Sequence, residues 1–78
     1  MRKLWIYKYV VNDNNTGNKL MSIEEVCFTK EQAMKMLESK YAEDASDGDI
    51  TEGFFSPERA WQSTESLHME YAIRCVVY

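Results

Sequence analysis

His68, the only histidine, and the two cysteines, Cys27 and Cys75, are the side chains best equipped for catalysis. A thiolate is a nucleophile and an imidazole can take its proton. Neither cysteine belongs to a Cys-x-x-Cys pair, and no carboxylate at a readable spacing would orient the ring. Nothing supplies an oxyanion hole, so His68 reads as a surface residue at the start of a strand. Asp44, Asp47, Asp49 and Glu52, with Gly48 among them, have the composition of a calcium loop but not its alternating ligand positions. There is no Gly-rich phosphate loop, no Gly-x-Ser-x-Gly and no paired-histidine motif. The sequence is therefore read as non-catalytic, with no cofactor and no metal.

Two groups of residues suit a contact surface better. Trp5, Tyr7 and Tyr9 alternate along the opening strand, and Leu4, Ile6 and Val10 alternate the other way. Side chains on a strand point to opposite faces with a period of two. One row must cover a core and the other is free to meet water or a partner. Two tyrosine hydroxyls in succession suit a half-wet face, where the rings would lie near Arg74; Lys8 breaks the aliphatic row and suits the reverse. Both orientations stay open. Trp, Tyr and Arg are the usual anchors of protein interfaces. The second group is acidic. From Tyr41 to Glu58 there is no Lys or Arg, while Glu43, Asp44, Asp47, Asp49 and Glu52 all fall there. As a solvated loop it would be unremarked; as a contact it would steer the chain toward a basic partner.

These residues must be positioned by few elements. A first strand is expected from about Lys3 to Asn12, then an Asn-rich hairpin loop, then a second strand from about Leu20 to Phe28. Glu24 and Glu25 are adjacent and would need a bulge. Thr29-Lys30-Glu31-Gln32 is a capping box, in which Gln32 would reach back to the N–H of Thr29. The helix it opens is expected to end near Tyr41, with Ala33, Met34, Leu37 and Tyr41 buried. Ser56-Pro57-Glu58 reads as a second helix start, running to about Ser63, bracketed by Phe54, Phe55 and Trp61, which are expected to plug one end of the core, with an exposed docking knob as the alternative. A last strand runs from about Leu67 to Tyr78. The expected fold is a single α+β domain over residues 1–78. Its order is β-β-α-(short α)-β, with a three-stranded antiparallel sheet of order 2-1-3 and one main helix on one face.

The chain has 78 residues, 13 of them acidic and 9 basic, for a formal charge of −4. This charge argues against direct nucleic-acid binding, which needs a basic footprint. No segment is long and apolar enough to span a bilayer, so no membrane partner is expected. Met1-Arg2-Lys3 runs directly into the first strand, so no signal peptide is expected; both thiols are then free in a reducing cytoplasm.

The opening strand Lys3–Val11, the Asn-rich hairpin and the junction Phe28-Thr29-Lys30-Glu31-Gln32-Ala33 give the chain a resemblance. It resembles the small acidic proteins that bacteriophages and other mobile elements encode, anti-CRISPR and host-takeover proteins among them. The resemblance covers the whole chain in style and transfers no site residues. It implies action in the host cytoplasm, by occupying a host protein's functional surface or by sequestering a nucleotide signal. The expected function is occlusion of a host protein with a basic surface, one that in turn binds nucleic acid. The expected contacts are Trp5, Tyr7, Tyr9 and Arg74 for affinity and Glu43, Asp44, Asp47, Asp49 and Glu52 for steering. The alternative is a homodimer that holds a nucleotide between two aromatic sheet faces.

Overall fold

A computed structural model describes residues 2–78. Strands β1 (Lys3–Asp13) and β2 (Lys19–Cys27) form a hairpin. Helix α1 (Lys30–Asp47) follows, then β3 (Glu52–Phe55), β4 (Arg59–Ser63) and β5 (Leu67–Val77). The strands make one antiparallel sheet in the order β2-β1-β5-β4-β3, with α1 across one face. The expected three-stranded sheet is therefore incorrect: a second hairpin, β3–β4, extends the sheet beyond β5.

The segment from Ser56 explains the error. The Ser56 hydroxyl donates to the Arg59 carbonyl at 2.6 Å and accepts from the Arg59 N–H at 3.2 Å, closing a tight turn. Ser followed by Pro starts a type I turn as readily as a helix, because Pro presets the same φ in both. The residues after it decide. Ala60 and Gln62 point under α1, at 2% and 1% exposure, while Arg59 and Trp61 point away, a strand's period of two.

Helix α1 begins at the Thr29 cap, whose hydroxyl accepts from the Gln32 N–H at 3.1 Å. Gln32 reaches back to the N–H of Phe28 at 3.0 Å, one residue beyond the expected Thr29. The helix continues through the acidic segment to Asp47 rather than stopping at Tyr41. No basic residue lies in its last turn, so Glu43, Asp44 and Asp47 oppose the negative end of the helix dipole. Tertiary contacts hold that turn in place: Asp44 bonds the sheet, and the Tyr41 carbonyl accepts from Gln62 Nε2 at 2.9 Å.

The core lies between α1 and one sheet face. Ala33 and Leu37 are fully buried, and Leu37 clusters with Tyr7, Tyr9 and Val11 of β1, Met69 and Tyr71 of β5, and Ala60 of β4. Gly53 is where β3 passes close beneath the helix. A Cβ there would stand 2.9 Å from the Tyr41 hydroxyl and 3.2 Å from both Gln62 Cβ and the Trp61 carbonyl. Gly53→Ala is expected to cost about 1–3 kcal/mol by overpacking, read as a lower urea midpoint with an unchanged slope. Full stability in that variant would contradict the close approach.

Candidate contact surface on the helix-free sheet face

The register of the sheet sorts the expected contact residues onto different surfaces. Tyr7 and Tyr9 lie under α1 at 5% and 6% exposure, and Trp5 is half-buried on the same face with Lys30 Nζ 5.5 Å from its ring centroid. Of the two orientations of β1, the chain takes the one with the rings in the core. Arg74 pairs with Ile6 on the opposite face, where it is exposed and bonded to Glu24 at 3.3 Å. The structure thus separates Arg74 from the aromatic row it was expected to flank.

The acidic residues divide as well. Glu43 and Asp47 are exposed on the last turns of α1, Asp49 is exposed on the connection, and Glu52 is exposed on β3. Asp44 has a different role. Its Oδ2 accepts from the Tyr9 hydroxyl at 2.9 Å and from the Tyr71 hydroxyl at 2.7 Å, and its Oδ1 lies 3.4 Å from Lys40 Nζ. Tyr71 also accepts from Gln62 Nε2 at 2.8 Å, and its ring stands 5.2 Å from that of Tyr9. Asp44 is therefore the clamp that fixes the end of α1 to the sheet, not a free steering charge. Burial, then Asp44, pushes the Tyr7 phenol well above its usual range. Burial and the bond to Asp44 do the same to Tyr9. For Tyr71, burial and Asp44 outweigh the opposing effect of Gln62. Among the described residues, no three His, Cys, Asp or Glu side chains converge to hold a metal ion.

Cys27 and Cys75 both stand opposite Trp5, from β2 and β5 on either side of β1. Two strand spacings separate them, about 9–10 Å, beyond the ~7 Å that a disulfide can span. Cys27 is buried with its Sγ 3.3 Å from Met36 Sδ, and burial, with Glu25 nearby, pushes its thiol up. That is the opposite of what a nucleophilic thiolate needs.

His68 does meet a carboxylate. Its Nδ1 is 2.6 Å from Ser63 Oγ and its Nε2 is 3.2 Å from Glu70 Oε1, a Ser–His–carboxylate chain that sequence spacing did not reveal. The backbone around Ser63 is unsuited to acyl transfer. The next N–H, that of Thr64, would have to face the developing oxyanion, but it donates to the Leu67 carbonyl at 2.8 Å. Ser63 itself is only 8% exposed.

What the helix-free face does offer is an uncovered aromatic cluster. Phe54 stands opposite Trp61, and the Trp61 ring lies 5.5 Å from the ring of His68. Arg59, Glu70 and Ala72 line a shallow basin of about 510 Å³ beside Trp61 and His68. Phe54 is 52% exposed. Only Phe55 of this group turns to the helix side, where it packs on Tyr41 at 5.1 Å. The core plug is thus corrected for Phe54, which is exposed as the docking-knob alternative had it, and for Trp61, which is half-buried on the helix-free face. Their alternation in Phe54-Phe55 and Arg59-Ala60-Trp61-Gln62 was the available signal, obscured by the Ser-Pro helix reading. Glu52, one row along β3, places a carboxylate on the same face.

No helix among the described residues is long and apolar enough to cross a membrane. No protein-family model, curated protein or solved structure matches the chain.

Proposed function

We propose that this chain is a non-catalytic binding protein that works stoichiometrically, by covering a basic surface of another protein through the β3–β4 end of its helix-free face. The observation that carries this reading is the pairing of Phe54 with Trp61 on a face that nothing covers, with a free carboxylate, Glu52, beside them. Aromatic side chains desolvated at the centre of an interface supply most of its affinity. Glu43, Asp47, Asp49 and Glu52, all exposed, supply the long-range attraction. A partner whose basic surface normally holds nucleic acid fits that charge. Action in a host cytoplasm, in the manner of mobile-element inhibitors, accords with two unbridged thiols.

Capture from bacterial lysate by the immobilised protein tests the proposal through paired variants. Trp61→Ala is expected to weaken capture roughly tenfold or more. Changing Glu43, Asp47, Asp49 and Glu52 to amides is expected to slow association at low salt and to matter little at high salt. The same proteins captured equally by all variants would overturn the assignment of the surface.

A further inference from the structure

On the helix side of the sheet, α1, β1 and β2 enclose a groove of about 310 Å³. Tyr7, Tyr9, Ile23 and Met36 give it apolar walls, and Glu25, Lys40 and Glu43 add charge. One polar group there is unmatched. The Tyr7 hydroxyl is buried and finds no hydrogen-bond partner among the described residues, whereas Tyr9 and Tyr71 on the same face both donate to Asp44. Leaving a buried hydroxyl unpaired is costly, so it marks a place for a further polar group. Glu25 stands directly opposite Tyr7 in the β1–β2 register, which sends both side chains to the helix side. Burial, then Asp44, Glu25 and Glu43, pushes this phenol up, so its oxygen lies within electrostatic reach of three carboxylates.

We propose that this groove binds a small primary amine with an alkyl or aryl tail. The ammonium sits among Tyr7 Oη and the carboxylates of Glu25 and Glu43, and the tail lies along Met36 and Ile23. Charge selects a cation. Glu25, Glu43 and Asp44 outnumber the one cation beside them, Lys40, whose ammonium is already shared by Asp44 at 3.4 Å and Glu43 at 3.7 Å. Glu25 makes no ion pair among the described residues. An anion of the same size would meet net repulsion. Lys40 itself shows the chemistry that suits this wall. Its ammonium stands 5.2 Å from the Tyr9 ring centroid, on an alkyl stem, with carboxylates beside it. A ligand ammonium repeats that arrangement at Tyr7, the next ring along the same face of β1. The phenol oxygen accepts one ammonium N–H and the carboxylates accept the others. Mostly apolar walls with a few placed polar groups are the usual make-up of a small-molecule site, and the volume is at the small end of that class. The hydroxyl is sealed from solvent, so the ammonium reaches it as the unbranched side chains of Met36 and Lys40 give way. The site is on the opposite face from Trp61 and does not depend on the partner surface proposed above.

Titration with phenethylamine, followed through the methyl resonances of Met36 and Ile23, tests the site. Saturating shifts at millimolar amine are expected, and none with phenylpropionate, an anion of similar size. Tyr7→Phe and Glu25→Gln are each expected to weaken binding roughly tenfold. Glu31→Gln, which removes an exposed acid from the first turn of α1, is expected to leave it unchanged. Tyr7→Phe keeps the ring and removes a hydroxyl that has no partner, so its urea midpoint is expected to match or exceed the parent's. A lower midpoint would mean that the hydroxyl is already satisfied in the ligand-free chain, and would overturn the proposal. So would methyl resonances that ignore phenethylamine, equal binding of phenylpropionate, or a Tyr7→Phe chain that binds the amine as tightly as the parent.

Discussion

Asp44→Ala is expected to remove about 2–5 kcal/mol of folding stability, because it leaves two buried phenols without an acceptor. Tyr9 and Tyr71 are 6% and 1% exposed, and the Asp44 carboxylate accepts from both hydroxyls. An unpaired buried donor costs about 1–3 kcal/mol, and a chain of this length has only ~4–12 kcal/mol in hand. Asp44→Asn keeps an amide oxygen at the same place and gives up the charge, so its cost is expected to be about half as large. The comparison separates the hydrogen bonds from simple loss of volume. Urea denaturation of the three proteins checks it. Equal midpoints for Asp44→Ala and the parent chain would mean that α1 is not clamped at this point. The acidic turn would then lack a structural reason for opposing its own helix dipole.

The second large effect is expected at alkaline pH. Burial raises the phenol pKa of Tyr7, Tyr9 and Tyr71 in the folded chain well above the ordinary value near 10. Below pH ~10 these phenols keep their protons in both states and contribute no pH dependence. Above it the unfolded chain releases three protons that the folded chain holds, so unfolding is favoured as pH rises. Each phenol contributes a slope of about 1.4 kcal/mol per pH unit, and the three together about 4 kcal/mol per unit. Stability is thus expected to be lost steeply just above the ordinary phenol value. The phenolate absorbance of these three rings should appear together with the loss of helical dichroism. Gradual ionisation of all the tyrosines while the helix persists would contradict the burial of the β1 aromatic row.

The outer frame of the fold was legible because its signals are local. Asp13 Oδ1 accepts from the N–H of Asn15 at 2.7 Å and Gly17 takes a φ of 77°, the turn chemistry that the Asn-rich loop advertises. The Thr29 cap was legible for the same reason. The β3–β4 hairpin was not, since Ser-Pro begins turns and helices alike and strands of four and five residues carry too little alternation to decide. The face of β1 was undetermined because both its rows are apolar. Helix packing on Tyr9 and its cross-strand neighbour Tyr71 settles it, and that register is a tertiary fact. Asp44 was indistinguishable from its acidic neighbours for a related reason. Its role depends on two tyrosines 35 and 27 positions away.

The proposed partner surface is the helix-free face of the sheet, at Trp61 and Phe54. Site-specific photo-crosslinking tests it most directly, with a benzophenone side chain placed in turn at Phe54, on the exposed outer face of α1 at Lys35, and at Tyr9. The probes at Phe54 and Lys35 sit at exposed positions that leave the fold intact; the one at Tyr9 reports on the core. Crosslinking to a basic protein from Phe54, and not from Lys35, is the predicted result. The Tyr9 probe is expected to destabilise the chain and to crosslink within it. A partner crosslinked from Lys35 while Phe54 stays silent would contradict the account.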